Sequence, residues 1–259
     1  MKIIYAIFTF ICLNGNFALS EELKPEQIIA KSWQLYRQTP DEQEAIEMVV
    51  SYYDGRKDVK TLTRWIKYDP DGEEDKIAVK FHKPAMDEGL GLLTWRRAQK
   101  NDDQWLKLPS LKRVRRVSPG EQDKYFAGTD LTYEDLRQLT GERTRDFTYQ
   151  LIRREGEQSV IEILPNTCIK TGYSRRVAWI GNGFVLHKME YYGKNGKLLK
   201  VQTNNGITQS DNGLWRTDCI EVNNLLLNRR TSLRVIDRQL NSNPPAEIFS
   251  VRFLETKRR

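Results

Sequence analysis

From Ala45 onward the hydrophobic positions of this chain recur every second residue, and that rhythm organises nearly all of it. Ile46, Met48, Val50 and Tyr52 alternate with more polar neighbours up to Asp54-Gly55, as in a strand with one face buried. Further strands are predicted at 59–68, 76–82, 90–97 and 104–108, with Asp69-Pro70-Asp71-Gly72 as a hairpin signal. This first run of about five reads as a meander in which sequential strands pair. After an interruption at 109–141 the alternation resumes at 147–153, 159–164, 173–180, 184–192, 198–208, 214–222 and 229–237. Gly181-Asn182-Gly183, Lys194-Asn195-Gly196 and Asp211-Asn212-Gly213 supply tight turns between the later strands. Pro244-Pro245 ends the sheet, and Phe249, Val251 and Phe253 are placed to tack the tail onto it.

Two stretches break the rhythm. In 25–38, Ile28, Ile29, Trp33, Leu35 and Tyr36 share one face at a spacing of three to four, opened by Pro25 and stopped by Pro40. This amphipathic helix needs a surface, and the sheet is the one available. In 133–140, Thr132 is the N-cap with Asp135 three residues on, Leu131 and Leu136 form a hydrophobic staple, and Gly141 is the left-handed cap. About eleven or twelve antiparallel strands cannot stay flat. The expected fold is mainly β with flanking helices (α+β), a single curved antiparallel sheet forming a barrel or half-barrel.

Composition changes the picture at one end. Lys2 precedes an apolar run from Ile3 to Leu13, and small residues follow at Ala18 and Ser20. That is the layout of a secretory signal cleaved after Ser20. The run is too short to span a bilayer, and the bulky Ile11 before Cys12 disfavours lipid modification. No Ser/Gly/Pro-rich linker or repeat divides the rest of the chain, so 21–259 is read as one exported domain. Removing the leader takes away Lys2 and no acid, and lowers the formal charge from +7 to +6. Outside the cytoplasm nucleic acid is excluded as a partner, which leaves anionic headgroups or an acidic protein face. In an oxidising compartment Cys168 and Cys219 read as a disulfide. It would close a loop of about 50 residues and contribute about 4 kcal/mol in the chain-entropy model.

Candidate chemistry is sparse. His82 and His187 lie inside predicted strands, where packed or solvated side chains are the rule. The sequence has no HExxH, GxSxG, P-loop or dinucleotide fingerprint, and no Cys/His cluster with metal-ligand spacing. Neither metal nor cofactor is expected. Asp130, Glu134 and Asp135 suit the first turn of a helix better than acid–base work. The chain does not read as an enzyme. The basic run Lys107, Lys112, Arg113, Arg115 and Arg116 is charged on both strand faces and so is not a buried strand. Arg113, Arg115 and Arg116 are candidates for contact with headgroup phosphates or an acidic partner. Finally, Trp65, Ile77, Val79, Phe81, Leu93, Trp95, Trp105, Trp179, Phe184 and Trp215 stand on the strands. They either fill a closed core or line an apolar groove able to hold an acyl chain.

The segment WLKLPSLKRVRR followed by KYFAGTDLTYEDL resembles the signature of the LolA-like outer-membrane lipoprotein-sorting proteins. The matching residues are Trp105, Leu106, Leu108, Pro109, Arg115, Arg116, Phe126, Gly128, Thr129, Asp130, Tyr133, Asp135 and Leu136. The resemblance implies a periplasmic, unclosed β-barrel of the LolA/LolB kind with helices over its opening. Its concave apolar face would hold the acyl chains of a lipid or lipoprotein bound for the outer membrane. It also implies partners: an outer-membrane receptor, or a membrane exporter of the resistance–nodulation–division type. An adaptor that docks on such an exporter and carries no lipid is the alternative. The Cys168/Cys219 pair is not part of the signature.

Overall fold

A computed structural model describes residues 22–111, 113–209 and 213–256. The expected leader, Lys112 and the Asp211-Asn212 turn lie outside the described residues. Thirteen antiparallel strands form one sheet: β1 Asp41–Tyr52, β2 Lys57–Lys67, β3 Lys76–Lys83, β4 Gly91–Trp95, β5 Asp103–Lys107, β6 Arg115–Arg116, β7 Phe147–Glu155, β8 Gln158–Pro165, β9 Tyr173–Ile180, β10 Leu186–Gly193, β11 Leu198–Gln209, β12 Trp215–Asn224 and β13 Arg229–Leu240. Their spatial order is β6-β5-β4-β3-β2-β1-β13-β12-β11-β10-β9-β8-β7. Two meanders are thus joined by the first and last long strands, with Glu42 opposite Leu240 and Tyr52 opposite Arg229. β6 and β7 remain free edges. The sheet is an unclosed barrel.

Strand β1 begins at Asp41, four residues earlier than the alternation suggests. Its first residues, Asp41-Glu42-Gln43-Glu44, are all polar. Glu42 and Glu44 nevertheless point inward and are buried, because arginines from β2, β12 and β13 meet them there. β6 is a two-residue edge strand, in keeping with a run too charged for the interior.

Helix α1, Pro25–Gln34, continues as a 3-10 turn through Gln38. It lies on the concave face over β7–β10, with Ile28, Ile29 and Trp33 buried. Helix α2, Tyr133–Gln138, starts with the expected capping box: Asp135 N–H donates to Thr132 Oγ1 at 3.1 Å and Thr132 N–H to the Asp135 carboxylate at 2.6 Å. Gly141 (φ +105°) closes it, and a Cβ there would stand 2.9 Å from Trp33, so glycine is required by backbone and packing together. The tail is tacked onto the sheet as expected, through helix α3, Val251–Glu255. It packs Phe249, Phe253 and Leu254 against the convex side of the sheet.

Candidate functional site

The concave face has two apolar floors. One comprises Ile46, Met48, Leu62, Ile66, Ile77, Val79, Phe81, Leu92 and Leu106 from β1–β5, and the 117–141 segment lies over it with Val117, Phe126, Leu131, Tyr133 and Leu139. Phe126 stands between Phe81 and Tyr133, at ring-centroid distances of 5.8 and 5.6 Å. The second floor is Ile161, Ile163, Ala178, Ile180, Met189 and Tyr191 from β8–β10, covered by α1. Both covers pack onto the sheet by side chains, with the apolar burial that drives such packing.

Around the floors the covers are held by charge. Asp130 accepts from Arg229 Nε (2.9 Å), Asn224 Nδ2 (3.1 Å) and Thr231 Oγ1 (2.7 Å), and its own N–H donates to Thr231 Oγ1 at 2.9 Å. Asp135 accepts from the buried ammonium of Lys200 and from Tyr173 Oη at 2.7 Å. Lys200 also donates to the Asp130 carbonyl at 3.2 Å, and the rings of Tyr191 and Tyr173 lie 5.0 and 5.3 Å from its nitrogen. Glu134 binds Thr171 Oγ1 and the Gly172 N–H at 2.5 and 2.9 Å, tying the segment to the β8–β9 loop. At the segment's far end Arg96 donates to the carbonyls of Arg137 and Gly141. Arg37 donates to Thr140 and pairs with Asp75 at 2.5 Å. Arg176 of β9 meets Glu142 at 2.6 Å.

A further ionic cluster fixes the end of α1. Arg216 donates to the carbonyls of Leu35 and Tyr36 at 2.9 and 3.1 Å and to Glu42 at 3.0 Å, while Glu44 lies against Arg64 and Arg238. Burial, reinforced by Glu44 beside it, pushes the Glu42 carboxyl up to about 7. Burial acts on Glu44 too, but Arg64 and Arg238 outweigh it and hold that carboxyl down to about 2.

The ten groove candidates do not line one surface. Ile77, Val79 and Phe81 lie on the concave floor, and Phe184 packs beside α1. Trp65, Leu93, Trp95 and Trp105 face the convex side under the tail, where Trp95 Nε1 donates to the Phe249 carbonyl at 2.8 Å. Trp179 is also convex, clustered with Val160 and Val177 under Lys188. Trp215 lies on the opposite face of β12 from Arg216, against Gly183. The reason is that this sheet is covered on both sides, so apolar residues of both parities are buried. Ile77, Val79 and Phe81 are thus part of the floor, which also holds Ile46 and Met48, the residues whose alternation opens the sheet.

The remaining candidates divide. Leu108, Phe126 and Tyr133 belong to the concave core, Thr129 Oγ1 closes a turn on the Phe126 carbonyl at 2.7 Å, and Gly128 takes φ +76° in that turn. Pro109 follows in the β5–β6 connection. Arg115 pairs with Glu121 at 3.0 Å and Arg116 with Asp103, so neither is a free cation. Arg113 is exposed and has no ion-pair partner among the described residues. The expected disulfide is absent: both thiols are free, Cys168 exposed in the β8–β9 loop and Cys219 half-buried on β12. Three strand spacings, roughly 14 Å at about 4.8 Å each, separate β9 from β12, beyond the roughly 7 Å that a disulfide spans.

Enclosed space on the concave side is small. The hollow beneath the end of α1 is about 20 Å³ and the cleft beside α2 about 50 Å³, against roughly 300–1,000 Å³ for an ordinary ligand pocket. Larger hollows, of about 510 and 330 Å³, are open depressions at the surface. In this conformation the covers fill the groove.

A curved, unclosed sheet with helices on its concave face is the LolA-like fold, and solved structures agree. An outer membrane lipoprotein-sorting protein domain from Vibrio parahaemolyticus matches at TM-score 0.78 and 24% identity, over 89% of this chain and 95% of that one. A DUF1329 family protein from Desulfovibrio piger matches at 0.78 and 22%, over 87% and 98%. A LolA superfamily protein from Nitrosomonas europaea matches at 0.69 and 19%, over 88% and 98%. In sequence, a family model described as "Uncharacterized protein" matches residues 73–256, and the chain belongs to that family. No curated protein matches it.

Proposed function

We propose that the protein is a periplasmic, non-enzymatic carrier. It takes acyl chains of a lipid or lipoprotein onto the concave floors when α1 and the 117–141 segment lift, and moves them toward the outer membrane. The observation that carries this reading is the double apolar floor under covers held mainly by side-chain packing and, for the 117–141 segment, by buried ion pairs, with one backbone bond from the Val117 N–H to the Gln104 carbonyl. The likeness in fold to a lipoprotein-sorting domain supports it.

The energetics permit exchange. Ile28, Ile29 and Trp33 of α1 each gain about 1.5–3 kcal/mol on burial, and a chain of about ten methylenes gains a similar total at about 0.8 kcal/mol each. Exchange is therefore nearly balanced for α1 alone; lifting the 117–141 segment also gives up the packing of Phe126 and Leu131 and the Asp135–Lys200 and Asp130–Arg229 pairs, and so needs a further contact such as a receptor. The filled floors favour a second reading, an adaptor that docks on a membrane exporter without lipid. Native mass spectrometry of the full chain extracted from the periplasm separates the two. Bound acyl-chain lipid at one per protein supports the carrier; lipid-free protein that also fails to bind a fluorescent fatty acid rejects it.

A further inference from the structure

Strand order brings six connections to one rim, and five of them, all but the β8–β9 loop, follow one another from the β5–β6 tip to the β10–β11 tip. β1 and β13 are paired up to Tyr52 opposite Arg229, so the β1–β2 and β12–β13 tips adjoin. The β3–β4 tip follows beside β2, where Asp87 pairs with Lys60. Beyond it comes the β5–β6 tip; on the other flank lies the β10–β11 tip, beside β11 and β12. Of nine exposed large hydrophobic residues among those described, six are on these tips: Tyr53, Met86, Leu111, Leu225, Leu226 and Leu227. Tyr53 and Met86 are 80% and 79% exposed and Leu226 69%. Three consecutive leucines at a hairpin tip contribute nothing to the core and cost solubility.

The same tips carry Lys57, Lys83, Arg113 and Lys197, all exposed and without an ion-pair partner among the described residues. Two of their acids are ion-paired, Asp54 with Arg56 and Asp87 with Lys60, while Asp58, which accepts from Tyr52 Oη at 2.8 Å, and Glu88 are exposed and keep their charge. The rim therefore presents protruding apolar tips with these four unpaired cations set against two unpaired acids.

We propose that this rim docks on the surface of a bilayer that contains anionic phospholipid. The leucines and Met86 enter the headgroup–acyl boundary, Tyr53 sits at its level, and the cations meet phosphates. Separate protruding tips suit a deformable surface, whereas a protein partner would need a pocket for each. Docking needs no cargo, so it goes beyond the carrier reading and can hold if that reading fails. It would also set the Asp130 contacts to Asn224 and Arg229, at the β12–β13 base, next to the lipid surface.

The test is flotation of the full chain with vesicles of phosphatidylethanolamine and phosphatidylglycerol, against vesicles of phosphatidylcholine alone. Binding to the anionic vesicles that falls with salt is expected. The variant Leu225→Ser/Leu226→Ser/Leu227→Ser should bind at least about ten-fold more weakly. Lys57→Gln/Lys83→Gln/Arg113→Gln should lose about five-fold per cation at low salt. Ile236→Ser, exposed on β13 away from the tips, is the control and should bind as the parent does. All are surface changes, and an unchanged melting curve shows that each variant folds. No binding to either vesicle, equal binding by the leucine and cation variants, or equal loss in the control would overturn the proposal. So would tips that cross-link to a protein partner while the chain ignores vesicles.

Discussion

Replacing Asp135 by Asn removes one charge from the contact that holds the 117–141 segment to the sheet. The side chains of Asp135 and Lys200 are 1% and 2% exposed, so Asp135→Asn strands an ammonium in the interior. Breaking a buried pair on one side costs about 3–5 kcal/mol. Two features lower that figure toward its floor: the Tyr173 and Tyr191 rings flank the ammonium, and the Asp130 carbonyl still accepts from it. Asn also keeps an oxygen for Tyr173 or for the Thr132 N–H, though not for both with full strength. We expect a loss of about 3 kcal/mol, which for a domain of this size is a fall in melting temperature of roughly 6–12 °C. Lys200→Met should cost as much, because it strands the carboxylate. The double variant should cost clearly less than the two single losses combined. Urea unfolding followed by circular dichroism measures all three, and amide exchange locates the effect. Exchange should accelerate in 117–141 while β7–β10 keep their protection. A single-variant loss under about 1 kcal/mol, or strictly additive losses, would refute the claim that this pair is a fastening of the cover.

Glu42 and Glu44 contribute to the response to pH in opposite directions. Its carboxyl is raised to about 7 in the fold, so the folded chain binds that proton more tightly than the unfolded one, and the stability it contributes is complete below about pH 4.5 and lost as pH rises toward 7. Glu44, held down to about 2, acts oppositely: its contribution is present above about pH 4.5 and lost as pH falls toward 2. Glu42→Gln should therefore abolish a decline on the order of 3 kcal/mol between pH 4.5 and 8, read from urea midpoints across that range; an unchanged pH profile would exclude the assignment. Brominated fatty acids should quench Trp33 strongly and leave Trp65, Trp95, Trp105 and Trp179 bright in single-tryptophan variants, because only Trp33 borders a concave floor. Alkylation without reductant should modify Cys168 quickly and Cys219 slowly, since burial raises the Cys219 thiol; a mass two protons short of the dithiol would contradict the free pair.

The strands were legible because polar turns separate runs of period two, and the two main helices because their apolar residues change spacing and their caps are local. Residues 41–44 were not, since the sense of Glu42 and Glu44 depends on Arg216 and Arg238, about 170 to 200 positions away. The same distance hides the fastening: in sequence Asp130 and Asp135 look like helix-start residues, which is half of their work. Lys200, Asn224, Arg229 and Thr231 lie 65 to 101 residues further on and carry no local signal. The tryptophans misled for a different reason. Alternation assigns a face relative to a neighbour but not which face is concave, and α3 makes the convex face as apolar as the floor.

Displaceable covers over apolar floors would show in amide exchange of the full chain with and without a soluble acyl ligand. With ligand, exchange should accelerate only in 25–38 and 117–141, while β1–β3 and β8–β13 stay as protected as before. Unchanged exchange at saturating ligand, or a uniform rise across the sheet, would contradict displaceable covers.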